Sequence, residues 1–431
     1  MMTTMLIVLV AIVALAVVET MINRPPFAAG VVLSAVAVAA LSSGTMPDVI
    51  VAGFTITVND VVFSLVVAAG VARSLRLPLG SGVRRLLLLI IVLTLIALVR
   101  GAQIYGPDAA VREFRTFFYF FGGAFYFSTV RPDSEVLDRI VRVWIAVSVV
   151  LVCIAAMRWI AVATGMPLTG VLARDREIGS LRVIDSRSTL IIAQTLVLLL
   201  PLVLRRQAGR WHARLFVVLI PVLAVLQHRT IWLVLILGGV LVLRRSRLLT
   251  TEQLVILVGT GIVVIGLLLA NPGYESSGLV ERSPVDTGSL DWRWNSWMAL
   301  IADETSSTEW VGGTPFGSGF ERELYGVTVT IIPHNWYVEI LYRLGALGLV
   351  PFVALYAIVV KRWHIRRTDP SRLLTRHTMY VLLITQLFYF IFWDPGPEQG
   401  LLLGLAMAGV AAPVAGAIAP AHHRLVDRRL P

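Results

Sequence analysis

Apolar residues gather into runs at about 5–18, 27–41, 58–72, 86–99, 114–130, 140–163, 188–204, 213–226, 230–243, 254–270, 336–360, 378–393 and 399–418. A helix crossing a bilayer takes roughly 20 apolar residues, so the shorter runs must borrow from their flanks. The pattern predicts an all-α, polytopic integral membrane protein of 12–13 transmembrane helices. One gap between runs is long, from Asn271 to Pro333. The chain thus divides into an N-terminal helical part (1–270), a loop expected to carry short helices (271–335), and C-terminal helices with a basic tail (336–431). The first run has no basic residue before it and no small-residue cleavage site after it, so it reads as a retained helix, not a signal peptide.

Polar residues orient the bundle. Arginines crowd the segments 73–85, 204–214, 244–253 and 361–377 and the tail, which places these on the cytoplasmic side. Alternation then puts the 271–333 loop outside the cell. Strict alternation over thirteen runs also puts the N-terminus outside, and merging one weak early run puts it inside.

Composition supports the pattern. The 431 residues are 57% hydrophobic and 15% charged, which excludes a soluble enzyme. The formal charge of +11 suggests nucleic acid in a soluble chain, but here most of it lies in cytoplasmic loops as an orientation signal, and no nucleic-acid partner is expected. A single cysteine, Cys153, excludes an intramolecular disulfide or a thiolate metal cluster.

A minority of arginines sits on the acidic outer side, against the orientation bias. Among them are Arg158, Arg182, Arg187, Arg229, Arg293, Arg322 and Arg343. Local ion pairing accounts for some, as for Arg174 and Arg176 beside Asp175 and Glu177. A cluster of others suits an anionic ligand, because guanidinium groups bind phosphate oxygens bidentately and keep their charge. Arg229 follows His228 in a very short outer turn, where an arginine needs a partner or a wet cavity.

Five of the seven histidines fall in cytoplasmic loops or the tail, and only His228 and His334 face outward. His334 lies in Ile-Ile-Pro-His-Asn-Trp-Tyr, where Pro333 ends the long loop and the histidine opens the next helix. A helix N-terminus disfavours the imidazolium and leaves a neutral ring able to accept a proton near pH 7. The alternative reading is that His334 and Asn335 merely cap the helix. Trp292, Trp294 and Trp297 surround Arg293 and fit either glycan stacking or interfacial anchoring. The glycine-rich turn Thr314-Pro-Phe-Gly-Ser-Gly319 is a weak signal, and the loop acids, including Asp291, Glu321 and Glu323, read as solvated. No Walker A, His-Glu-x-x-His or Asp-x-Asp motif appears, so the reading calls for neither metal nor cofactor.

Arg229 before an apolar run, Arg293-x-x-x-Trp297, Pro315-Phe-Gly-x-Gly319, and His334-Asn335 opening a helix with Leu344-Gly-Ala-Leu-Gly-Leu349 occur in that order. The set, spanning about 217–360, resembles the O-antigen ligase and polymerase superfamily. The resemblance implies a metal-independent glycosyltransferase of the cytoplasmic (inner) membrane. Its donor is an undecaprenyl diphosphate-linked glycan, its acceptor a hydroxyl on a glycan, lipid or protein, and membrane lipids surround it. It further implies that His334 activates the acceptor while Arg229 and Arg293 hold the diphosphate, with Arg182 and Arg187 as a second clamp and Asn335 and Trp297 in the substrate site. One departure is Arg343, where the family often carries an acid; Glu339, one turn earlier, is placed to pair with it. A transporter or flippase of a lipid-linked or anionic solute is the competing expectation, but it should show ionisable groups near the midplane rather than at helix ends. A scaffold for glycan assembly leaves the outer arginines unexplained.

Overall fold

The computed structural model describes residues 2–42, 48–51, 54–76, 82–131, 133–166, 182–226, 228–246, 288–303, 307–365 and 376–411. Twelve of the thirteen apolar runs fall on helices in their described residues; the run at 254–270 and the end of the last run, 412–418, lie outside the described residues, as do Arg174, Arg176, Arg282 and the basic tail. The helices are α1 (Met2–Asn23), α2 (Pro25–Ser42), α3 (Val58–Ser74), α4 (Gly82–Tyr105), α5 (Pro107–Ser128), α6 (Ser134–Thr164) and α7 (Ser186–Leu204). They continue with α8 (Arg210–Val225), α9 (Arg229–Ser246), α10 (Gly288–Asp303), α11 (Ser307–Gly312), α12 (Trp336–Ile365), α13 (Arg376–Tyr389) and α14 (Pro397–Ala411). The described residues are about 82% helical, as in an all-α membrane protein. Among the described residues α4, α6, α7 and α12 are each long and apolar enough to cross a membrane, and α1 and α2 together form a pair bent by 117° before Pro25.

Two short antiparallel hairpins complete the fold, β1 (Asp48–Val51) with β2 (Phe54–Thr57) and β3 (Arg322–Leu324) with β4 (Val327–Val329). The second lies in the segment where only short helices were expected. Its turn residues Tyr325 and Gly326 have φ of 53° and 78°, the positive values that a two-residue hairpin turn needs at both positions.

Helix α5 forms the centre. It packs against α3, α4 and α14, and its Phe117, Phe120 and Phe121 join Trp336, Phe352 and Phe390 in one aromatic core. Phe117 and Trp336 approach most closely, with centroids 4.5 Å apart, which fixes the first residue of α12 on the core. On α14, Gly400 admits the backbone of α5: a Cβ there would lie 2.1 Å from the Phe120 carbonyl oxygen.

A buried ion pair joins α5 to α12. Arg343 is 0% exposed; its guanidinium lies 2.7 Å from Glu113 and donates to Pro315 O at 2.9 Å, Ser318 Oγ at 2.6 Å and Gly319 O at 2.6 Å. Glu113 in turn accepts from the backbone N–H of Gly317 at 2.6 Å and of Gly319 at 2.9 Å. The glycine-rich turn is thus held by both charges, and Arg343 forms its ion pair with Glu113 on another helix, not with Glu339. Rings of Phe320 and Tyr342 cover the guanidinium at 4.3 and 4.8 Å. Just beyond, α12 breaks at Gly345, where φ is 61° and a Cβ would lie 2.2 Å from the Val311 carbonyl. The Leu344-Gly motif therefore marks the crossing of α11 over α12.

Glu113→Gln leaves the buried guanidinium without its ion-paired carboxylate, which costs about 3–5 kcal/mol. Thermal unfolding of the purified variant in detergent should show a clear loss; unchanged unfolding would contradict the role assigned to the pair.

Candidate functional site

Of the residues singled out from the sequence, the structure brings His334, Arg293 and Arg187 together, near the first residues of α7 and α12. The centre is Trp393, in the turn that follows α13. The His334 ring lies 5.1 Å from the Trp393 ring, centroid to centroid, and the Arg293 guanidinium stands 5.2 Å from the same ring. The next residue, Asp394, forms an ion pair with Arg187 at the start of α7. A base candidate and two arginine candidates thus meet around two adjacent residues of a fourth segment.

His334 is held in a backbone conformation that L-residues other than glycine, asparagine, aspartate and histidine seldom adopt, with φ of 52°. Its neighbours impose it. Trp297 Nε1 donates to Pro333 O at 2.6 Å, before the histidine. After it, Asn335 Oδ1 accepts from the N–H groups of Tyr337 and Val338 at 3.0 and 3.2 Å, and Trp336 N donates to Phe390 O at 2.9 Å. The capping reading therefore holds for Asn335, a buried N-cap. It does not hold for His334, which stands outside the helix with its ring against Trp393. Strain of this kind persists only where the surroundings over-determine it, and it concentrates at functional sites.

Trp297 is buried with Leu300, Phe320 and Val338, so its place in the site is to brace Pro333. Trp294 is 57% exposed and Trp292 lies 5.9 Å from Arg322. Arg322 is itself structural: it donates to Ser296 Oγ at 2.7 Å, Phe320 O at 2.6 Å and Ile331 O at 2.7 Å, tying the β3–β4 hairpin to α10. Arg158 likewise donates to backbone carbonyls, Val183 O at 2.7 Å and Ala40 O at 2.6 Å. Asp291, Glu321 and Glu323 are exposed, as solvated acids are.

Arg182 and Arg229 belong to a neighbouring corner. His228 Nε2 donates to Ile184 O at 2.9 Å and docks the turn between α8 and α9 onto the segment leading into α7. Arg229 is the first residue of α9, and Arg182 acts electrostatically on His228. Burial, aided by Arg182, lowers the His228 pKa from 6.5 to about 4, although the Ile184 hydrogen bond and Asp185 act in the opposite direction. The ring stays neutral at physiological pH, and its role is docking.

Three contributors were missed in the sequence: Trp393, Asp394 and Glu113. The run Asp394-Pro-Gly-Pro-Glu398 was a turn signal after an apolar run, and an acid in such a turn could have been placed among the outer arginines. Among the described residues no three of His, Cys, Asp and Glu converge as metal ligands. No protein-family model matches the chain, and no curated protein matches it.

Two outcomes follow. Because the folded pKa of His228 lies below its unfolded value, its docking contributes fully above pH 6.5 and is lost as pH falls toward about 4. The wild type should lose thermal stability across that window, and His228→Gln should flatten the loss; an identical pH profile for both would contradict the assignment. Trp393→Leu removes the aromatic face shared by His334 and Arg293 and should lower thermal stability in detergent; unchanged unfolding would show that these contacts hold nothing in place.

Proposed function

We propose that this protein is a metal-independent glycosyltransferase of the cytoplasmic membrane, similar to the O-antigen ligase and polymerase superfamily. It takes a glycan from undecaprenyl diphosphate and joins it to an acceptor hydroxyl on a glycan, lipid or protein, as a ligase or polymerase of cell-surface polysaccharide. The proposal includes 12 or 13 spans and an extracytoplasmic 271–335 loop. The observation that carries it is the meeting of His334, Arg293 and the Arg187–Asp394 pair around Trp393.

The chemistry needs a base and a place for negative charge. The acceptor oxygen attacks the anomeric carbon as the bond from that carbon to the diphosphate breaks, and the hydroxyl proton passes to His334. Charge builds on the leaving undecaprenyl diphosphate, and Arg293, Arg187 and Arg229 stabilise it. Fixed guanidinium groups do this best where water is scarce, since they need no reorganisation as the charge develops. Arg182, which acts electrostatically on His228 beside Arg229, joins Arg187 in this reading as a second clamp on the diphosphate. Arginines fit the role better than lysines because their planar donors match two phosphate oxygens at once.

The discriminating variant is His334→Gly. Glycine accepts φ of 52° at no steric cost, which offsets its greater unfolded-state entropy, so the fold should stay close to wild-type stability. Transfer from an undecaprenyl diphosphate-linked glycan by the purified protein should nevertheless fall about 10²-fold or more. Wild-type transfer by this variant would overturn the base assignment. In cells, Arg229→Ala should leave the lipid-linked donor accumulating in the outer leaflet; accumulation in the inner leaflet would favour a flippase instead.

A further inference from the structure

Below the corner formed by His228 and Arg229, helices α8 and α9 each pack on α7 but far less on each other. Between them lies a groove of about 420 Å³. Leu196 and Leu200 of α7, Phe216 and Ile220 of α8, and Leu235 and Gly239 of α9 line it. At its upper end the Trp232 indole N–H is donated to Leu223 O at 2.9 Å, so no polar group of that ring is left for a ligand. The groove begins at Trp232, three residues below Arg229, or about 5 Å along the helix. A hydrocarbon chain hanging from a charged head held at Arg229 would enter it directly.

The glycine pair in α9 sharpens the argument. Glycine in a helix interior costs roughly 0.5–1 kcal/mol against alanine, so each of the two needs a reason. Gly238 has one: a Cβ there would lie 3.0 Å from Val197 and 3.2 Å from Thr385, and the absence of a side chain lets α9 approach α7 and α13. Gly239 has none of that kind, since among the described residues a Cβ would meet nothing within 4 Å. It keeps the groove open. Ile220 and Ile236, 50% and 42% exposed, stand at the rim and leave the groove accessible from the side.

We propose that the α7–α8–α9 groove binds the isoprenoid chain of the lipid diphosphate donor, with Gly239 as the residue that admits it. The inference rests on the transferase reading and extends it to the part of the donor that takes no part in the chemistry. A linear prenyl chain suits a narrow, wholly apolar channel. The chain is already out of water in the bilayer, so its preference for the groove, and the dependence on chain length, come from van der Waals contacts with the groove wall.

The test compares two donors carrying the same glycan, one on undecaprenyl diphosphate and one on farnesyl diphosphate, with wild type, Gly239→Ala and Gly239→Leu. Wild type should prefer the long donor. Gly239→Leu should raise KM for the long donor about tenfold, about 1.4 kcal/mol of lost packing, and leave the short donor unchanged. Gly239→Ala should fold at least as well as wild type, which separates blockage from misfolding. Equal effects of Gly239→Leu on both donors, or none on either, would overturn the proposal. So would a photoreactive phospholipid that labels Ile236 and is not displaced by excess undecaprenyl phosphate, or a zero-length cross-link from position 236 to the 254–270 run. If wild type transfers from neither donor, the transferase reading fails; the groove is then judged alone by whether undecaprenyl phosphate displaces the phospholipid label in wild type and not in Gly239→Leu.

Discussion

The buried contact between Glu113 and Arg343 fixes the geometry on which the rest of this end of the protein depends. One carboxylate and one guanidinium join α5, α12 and the glycine-rich turn, and each charge is also hydrogen-bonded to the turn's backbone. Such a pair is tolerated when most of its other donors and acceptors are met, and here the turn's amides and carbonyls meet all but the Arg343 Nε. With Arg343 held, the first turn of α12 is set against α5, and Trp336 can seat on Phe117. Trp336 then donates its backbone N–H to Phe390, which places the turn containing Trp393 beside His334. The candidate site is therefore the far end of a chain of contacts that starts on α5.

A second constraint is the apolar surroundings, in which each backbone carbonyl left over at a helix end needs a donor. Arginine supplies it repeatedly. Arg73 bonds Thr129 O and Ile22 O, Arg84 bonds Ser128 O, and Arg158 bonds Val183 O and Ala40 O. Deep in the bundle the amides of Gln194 and Gln399 pair with each other instead, at 3.1 and 3.3 Å. These neutral and carbonyl-directed contacts separate structural arginines from those around Trp393, where the partners are an aromatic face and a carboxylate.

That separation was only half legible in the sequence. Hydrophobic periodicity located the helices because each run had to be buried or face lipid, which composition alone determines. Arginine placement singled out Arg187 and Arg293, and both reach the site. It singled out Arg322 and Arg343 equally, and these are fasteners, because a guanidinium on an anionic ligand and one on a carbonyl look alike along the chain. Asn335 was grouped with His334, yet the two diverge: one caps α12, while the other is turned outward by a positive φ that no residue type announces. Trp393, Asp394 and Glu113 were missed because their partners lie on other segments, Glu113 more than 200 residues from the turn it holds. Local pattern carries no information about such pairings.

The most direct test of the account is the position of the lipid diphosphate itself. A cryo-electron microscopy structure of the protein in nanodiscs with undecaprenyl diphosphate bound should place the diphosphate beside Trp393, between the Arg187 and Arg293 guanidinium groups, with His334 on its glycan-facing side. Density for the diphosphate at the opposite end of the bundle, among the arginines of the 204–214 and 361–377 segments, would contradict it.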